Sequence, residues 1–193
     1  MELINDDMHL NFREKLTFLM KFMQSPAQVG SITPSSRFLA KKTLEPIEWN
    51  TARAIAELGA GTGAFTKHIQ TLKHRDCKVA VFEKDQEMRD ELNTLYPDLI
   101  YFEDALRLSE NVKSMGMDSL DAVVSGLPFT LFKEAVREQI IDGVLDSLKN
   151  KGVFVAFQYS LQMKKLLLRK FSRVEISFVS LNFPPAFVYV CHK

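Results

Sequence analysis

The chain has 193 residues, a formal net charge of +1 and 46 % hydrophobic residues. That length fits one domain, or one domain with a small appendage, and the apolar content supplies a sizeable core and excludes disorder over most of the chain. No apolar run approaches the ~20 residues needed to cross a bilayer, and a protein devoted to structured RNA is usually more basic overall.

The opening, MELINDDMHL, begins with acids rather than the basic region of a secretory signal. From Asp7 to Met23 the pattern predicts a helix with Asp6 or Asp7 as N-cap. Leu16, Leu19, Met20 and Met23 share one face, which Phe12, Phe18 and Phe22 widen. Pro26, Gly30 and Pro34 then predict a loop over SPAQVGSITPSS, and Ser35 or Ser36 caps a short helix, RFLAKKTL. Between Leu10 and Lys42 the bases Arg13, Lys15, Lys21, Arg37, Lys41 and Lys42 face the single acid Glu14. A second basic group, Lys164, Lys165, Arg169, Lys170, Arg173 and Lys193, follows Leu161, against Glu175. Two basic ends suit an anionic surface; chance clustering on a solvated surface explains them as well.

Five apolar runs follow: Arg53–Leu58, Lys78–Glu83, Leu99–Phe102, Asp121–Val124 and Gly152–Tyr159. Helical patterns lie between them near 64–74, 86–95, 132–149 and 161–171. This alternation predicts a parallel sheet with crossover helices, covered on both faces. Arg173–Leu181 and Ala186–Cys191 are joined by only NFPP, which predicts an antiparallel hairpin at the sheet edge. The expected fold is therefore α/β and Rossmann-like. It has a seven-stranded, mostly parallel sheet, a C-terminal antiparallel hairpin, helices on both faces and an N-terminal helical extension. The expected division is 1–49, a helical lid or membrane-contact segment, and 50–193, the catalytic domain. Cys77 and Cys191 are far apart and form no ligand cluster, so reduced thiols and no metal are expected.

The best local signal is Glu57-Leu58-Gly59-Ala60-Gly61-Thr62-Gly63, a glycine turn between a strand and a helix. Such glycines permit a tight turn and close backbone approach to a ligand. Glu83 ends the next strand, placed to accept hydrogen bonds from a ribose diol. Gly59 to Ala64 also satisfies the dinucleotide pattern GxGxxA, so NAD must be weighed. Three features favour S-adenosylmethionine: the E-x-G-x-G-x-G spacing with its leading acid, a second acid, Asp104, after the third strand, and the lack of a further domain for a hydride acceptor.

In motif order and content, residues 50–193 resemble the class I methyltransferases. The resemblance implies that Glu57, Gly59, Gly61, Thr62 and Gly63 line the methionine part of the cofactor. It also implies that Glu83 with Lys84 holds the ribose, Asp104 with Ala105 the adenine, and that Ser125 lies near the sulfonium.

The segment SGLPF, from Ser125 to Phe129, resembles the N-[LI]-P-[YF] motif of ribosomal RNA adenine dimethylases, with Gly126 in place of the asparagine. The asparagine side chain accepts from the target amine in that family, and glycine offers none. A planar exocyclic amine left unpaired there costs about 1–3 kcal/mol. The segments MQSPAQVGSITPSS, ELGAGTGAFT, AVVSGLPF, GVFVAFQYS and SLNFPPAFVYV together resemble the bacterial phospholipid N-methyltransferases, over nearly the whole chain. That resemblance implies methylation of phosphatidylethanolamine-type lipids by a cytoplasmic protein, peripheral at the inner face of the cell membrane, with no transmembrane segment. RNA adenine and small amines are the alternative acceptors.

On this reading Gly126 and Leu127 offer backbone carbonyls to the amine beside Pro128. Phe129, Phe132 and Tyr159 stabilise a methylated, cationic nitrogen by cation–π contact. Tyr159 is also the expected orienting group or proton acceptor, unless it is an ordinary strand-end aromatic. Asn182 is expected to cap the hairpin turn, and His68 and His74 to lie on the surface.

Overall fold

The computed structural model describes residues 34–182 and 184–193. The helix expected over Asp7–Met23 and most of the loop after it lie outside the described residues. Helix α1 spans Pro34–Leu44, beginning ahead of the expected serine cap; proline suits a first helical turn, where its missing N–H has no intrahelical partner to lose. There follow β1 (Ala54–Leu58), α2 (Thr66–Leu72), β2 (Lys78–Phe82), α3 (Gln86–Leu95), β3 (Ile100–Phe102), α4 (Leu108–Ser114), β4 (Leu120–Ser125), α5 (Glu134–Ser147), β5 (Leu148–Gln158), α6 (Lys164–Lys170), β6 (Arg173–Val179) and β7 (Ala186–His192). Short 3-10 turns cover Ala105–Arg107 and Phe129–Leu131. Helix α4, a short seven-residue piece, was not foreseen; its Leu108 and Val112 are only two buried positions, too few for a periodic signal.

The strands form one seven-stranded sheet in the order β3-β2-β1-β4-β5-β7-β6. β1 to β5 pair in parallel, and β7 runs antiparallel to both its neighbours. The expected terminal hairpin is present, with its return strand inserted between β5 and the edge strand β6.

Because side chains alternate across a strand, each strand feeds two cores. Ile55, Val79, Val81, Val124, Val155 and Val188 point to one face with Leu39 and Leu44 of α1, Ile69 of α2 and Leu92 of α3. Ala56, Leu58, Phe82, Val123, Phe154 and Tyr189 point to the other, with Leu108 of α4, Ile141 and Val144 of α5 and Leu167 of α6. Residues 37–49 are thus part of the packing: α1 lies over β5, β6 and β7, and Trp49 donates from Nε1 to the Leu44 carbonyl at 3.0 Å.

At the amino ends of the strands, Asp121 joins three elements. One of its oxygens accepts from the backbone N–H groups of Arg53 and Ala54 at 2.7 and 2.9 Å, and the other pairs with Lys149. Partial burial opposes its charge, yet Lys149 and the two amides prevail and hold its carboxyl below the usual range. A depressed carboxylate stabilises the fold above the ordinary Asp range and loses that contribution as pH falls through its folded value. Asp121→Ala should lower stability by about 1–3 kcal/mol at pH 7, measured by urea denaturation, with the difference from the parent shrinking as pH falls below about 4.

Candidate active site

The glycine turn connects β1 to α2, and Gly59, Gly61 and Gly63 have φ of +73°, +56° and +81°, the left-handed region. A side chain is strained there. At Gly59 it would also meet Leu127, whose Cδ2 lies 2.8 Å from the position of a Cβ. The β4 end approaches just as closely: a Cβ on Gly126 would stand 2.8 Å from the Gly59 carbonyl oxygen. The Gly126 N–H donates to the Leu58 carbonyl at 2.8 Å. Two strand ends are thereby pressed together, backbone on backbone. This explains the glycine in SGLPF: the space an asparagine would need is filled by the other loop.

Two glutamates sit under the turn in contrasting states. Glu83, directly after β2, is held by backbone amides. Gly61 N–H donates to its Oε2 at 2.7 Å and Asp85 N–H to its Oε1 at 2.9 Å. Each oxygen keeps a second lone pair for a hydroxyl donor. Glu57, in β1, is fully buried. Its Oε2 accepts from the Thr66 hydroxyl at 2.8 Å, while its Oε1 has no partner among the described residues. Burial pushes its carboxyl up to about 7; the Thr66 bond opposes that rise and the nearby charge of Glu83 adds to it.

The other expected cofactor residues ring the same end of the sheet. Asp104 follows β3, is exposed, and accepts from Leu106 N–H at 2.9 Å. Ala105 is half-buried, and Thr62 and Lys84 are exposed. Ser125 is fully buried at the end of β4, its Oγ accepting from Leu127 N–H at 3.2 Å.

Beside the Gly59–Gly126 contact opens a pocket of about 270 Å³, lined by Gly126, Leu127, Pro128, Phe157, Tyr159 and Ser160 among others. Tyr159 stands in it edge-on to Phe157, ring centroids 5.8 Å apart. Burial pushes its hydroxyl up to about 12, tempered by a hydrogen bond from Asn182. Asn182 is itself buried and donates to the Pro184 carbonyl at 2.7 Å, so it holds the β6–β7 turn as expected and stands next to Tyr159.

Two expectations about this pocket change. Phe129 is fully buried in the core below, edge-on to Phe132 at 6.0 Å, and does not face the pocket. The Leu127 carbonyl already accepts two hydrogen bonds, from Phe129 N–H at 2.9 Å and from Gln158 Nε2 at 2.9 Å. It is a support of the pocket wall rather than an open acceptor.

Gln158 was passed over in the sequence, where one amide in GVFVAFQYS breaks an apolar strand. That break was the available signal, because a buried amide needs a partner. His68 and His74, on and just after α2, are part-exposed and away from the pocket. No group of three or more His, Cys, Asp or Glu among the described residues is arranged to hold a metal.

No protein-family profile matches the chain. The N-methyltransferase NodS from Bradyrhizobium japonicum superposes with a TM-score of 0.68 over 83 % of this chain and 97 % of its own, at 13 % identity. A precorrin-6y C5,15-methyltransferase from Geobacter metallireducens gives 0.62 over 79 % and 86 %, at 17 % identity. These likenesses establish the fold. An ornithine lipid N-methyltransferase from Singulisphaera acidiphila is 32 % identical over 179 residues, 90 % of this chain and 93 % of that one. This chain belongs to the same family. It is a class I S-adenosylmethionine-dependent N-methyltransferase.

The residues present fit that cofactor. Glu57 Oε1, without a partner among the described residues, would suit a donor such as the cofactor's ammonium. Glu83 has acceptor capacity for a ribose diol, and the side-chain-free turn admits close approach of a ligand to backbone. A cationic ligand selects ionised Glu57, so cofactor affinity should rise up to tenfold from pH 6 to pH 7.5 by calorimetry, and Glu57→Gln should flatten that rise and weaken binding. Without cofactor the raised carboxyl favours the fold below about 4.5, and that contribution is lost as pH rises through about 7. The Glu57→Gln apoprotein should therefore be the more stable one at pH 8, by up to about 3 kcal/mol. Gln158→Leu should cut turnover about tenfold or more by loosening the Leu127 wall, with cofactor affinity within about twofold of the parent.

Proposed function

We propose that the enzyme methylates the primary amine of a membrane aminolipid. Phosphatidylethanolamine is the acceptor implied by the sequence resemblance, and ornithine lipid is the one named for the relative. Both present an aliphatic amine on a diacyl body, and the pocket suits that shared feature. The observation that carries the reading is the Gly59–Gly126 contact. A planar nucleobase amine needs a side-chain acceptor at position 126, and the Gly59 carbonyl occupies the room for one. A flexible aliphatic amine makes no such demand. The pocket residues include no cation, which leaves the phosphate of a phosphatidylethanolamine acceptor to bind outside the pocket.

Bound at the glycine turn, the cofactor supplies an electrophilic methyl group on a sulfonium. The protein's task is to deliver a neutral amine in line with it and to exclude water. An amine of pKa about 10 is mostly protonated at neutral pH. The walls formed by Leu127, Pro128 and Phe157 disfavour the charged form and bring the pKa down. Tyr159, with its hydroxyl pushed up to about 12, stays a neutral phenol. It orients the amine through a hydrogen bond, and its ring face stabilises the positive charge on the nitrogen after transfer. The proton-acceptor role considered for it does not suit so high a pKa, and water at the pocket mouth takes the proton. Gln158 and Asn182 fix the two sides between which the amine enters.

Incubating the enzyme with labelled cofactor and vesicles containing either lipid tests the proposal. Label should enter the lipid fraction, and label in RNA alone from a total extract would overturn it. Tyr159→Phe should lower kcat/KM about tenfold, the worth of one orienting hydrogen bond. Its rate should still rise with pH as the amine deprotonates.

A further inference from the structure

A second concave region lies at the same end of the sheet as the pocket. It is a groove of about 320 Å³ between α1 and the β6–β7 turn, whose walls include Phe38, Lys41, Lys42, Phe178 and Leu181. Its large apolar side chains are unusually open: Phe38 is 48 %, Phe178 60 % and Leu181 66 % exposed. Phe38 stands on the α1 side of the sheet edge, Phe178 lies against Phe187 on the other face, ring centroids 5.2 Å apart, and Leu181 is in the turn, so the edge is apolar on both sides, as at an interaction surface. Strand register fixes where it sits. Gln158 pairs with Phe187, and Phe187 with Phe178. Phe178 is therefore two strands, roughly 10 Å, across from Gln158 at the same level of the sheet. Leu181 immediately precedes Asn182, which bonds to Tyr159. The apolar rim and the pocket mouth share one end of the molecule.

The charges on this rim have one sign in excess. Lys42 pairs with Glu45 at 3.2 Å, while Arg37 and Lys41 make no ion pair among the described residues. Arg37 and Lys41 are one helical turn apart and lie on the same side of α1 as Phe38 and Lys42. Aromatic and leucine tips beside Arg37 and Lys41, which form no ion pair among the described residues, match the boundary between acyl chains and anionic headgroups. We infer that this rim, Phe38, Phe178 and Leu181 with Arg37 and Lys41 around them, is the surface that seats the enzyme on an anionic bilayer. The inference rests on the aminolipid reading, because a diacyl acceptor must offer its amine while its tails stay in the membrane. A pocket mouth flush with the bilayer meets that requirement without lifting the lipid out.

The full chain can be tested by co-sedimentation with phosphatidylcholine vesicles, with and without about 30 mol % phosphatidylglycerol. The parent should bind the anionic vesicles about tenfold more tightly than the neutral ones. The triple variant F38S/F178S/L181S should lose about tenfold or more on the anionic vesicles, and K41E severalfold on anionic vesicles only. Cofactor affinity equal to the parent's establishes that each variant is folded. As a direct reading, the emission of F178W should be quenched by lipids with brominated chains. Parent-like vesicle binding by the folded triple variant, or no quenching of F178W on vesicles that bind it, would overturn the inference. Methyl incorporation separates the two proposals. A parent that seats through this rim but labels no lipid keeps the surface and removes the aminolipid function. A parent that labels lipid while the triple variant still binds keeps the function and removes the surface.

Discussion

The contact on which the site depends is between two peptide backbones. β1 and β4 are neighbours at the point where the sheet order reverses, from β3-β2-β1 on one side to β4-β5 on the other. In such sheets the crevice for a ligand opens beyond the carboxyl ends of those two strands. Here the Gly126 N–H bonds to Leu58, the Gly59 carbonyl excludes a side chain at 126, and Leu127 excludes one at 59. The glycine turn and the pocket adjoin at this contact. On the proposed reading the sulfonium and the amine would meet where the two open onto each other, and proximity of that kind is most of what methyl transfer asks of a protein.

Charge follows the same economy. Glu57 and Glu83 lie near each other, yet only Glu83 has amide donors for both of its oxygens. Glu57 keeps one oxygen without a partner among the described residues, a polar defect that a cationic ligand would remove on the proposed reading. Asp121 is the counterpart at the opposite end of the sheet. Its donors are all internal, so it serves the scaffold alone. Three buried or half-buried carboxylates thus divide the work of structure and binding by where their donors come from.

Much of this could be read from the chain. Period-two and unbroken apolar runs located all seven strands, because a sheet covered on both faces leaves a continuous signal. The glycine turn and its two acids were legible, since they rest on local backbone geometry and fixed spacing. What escaped detection depended on distant partners. Phe129 is buried in the core that holds Ile141 and Val144 of α5 and Phe154 of β5, and the amide of Gln158 finds Leu127 thirty-one residues away in sequence. No local pattern carries such facts. The glycine at 126 read as a missing acceptor, and only the approach of Gly59 shows what takes its place. α4 is short and contributes few buried positions, so its periodicity never rose above its loops.

The inserted strand β7 has a consequence for how the molecule assembles. β6 touches the rest of the sheet only through β7, so it cannot be added strand by strand in the order of synthesis. While the ribosome is making β6, the flank of β5 stays bare, and it is covered only when the two strands fold back on each other and dock as a pair. The half of the molecule that carries Tyr159, Asn182 and the exposed rim is therefore finished last on the nascent chain. A chaperone that shields that flank would be guarding the Tyr159 side of the sheet rather than the side of the glycine turn.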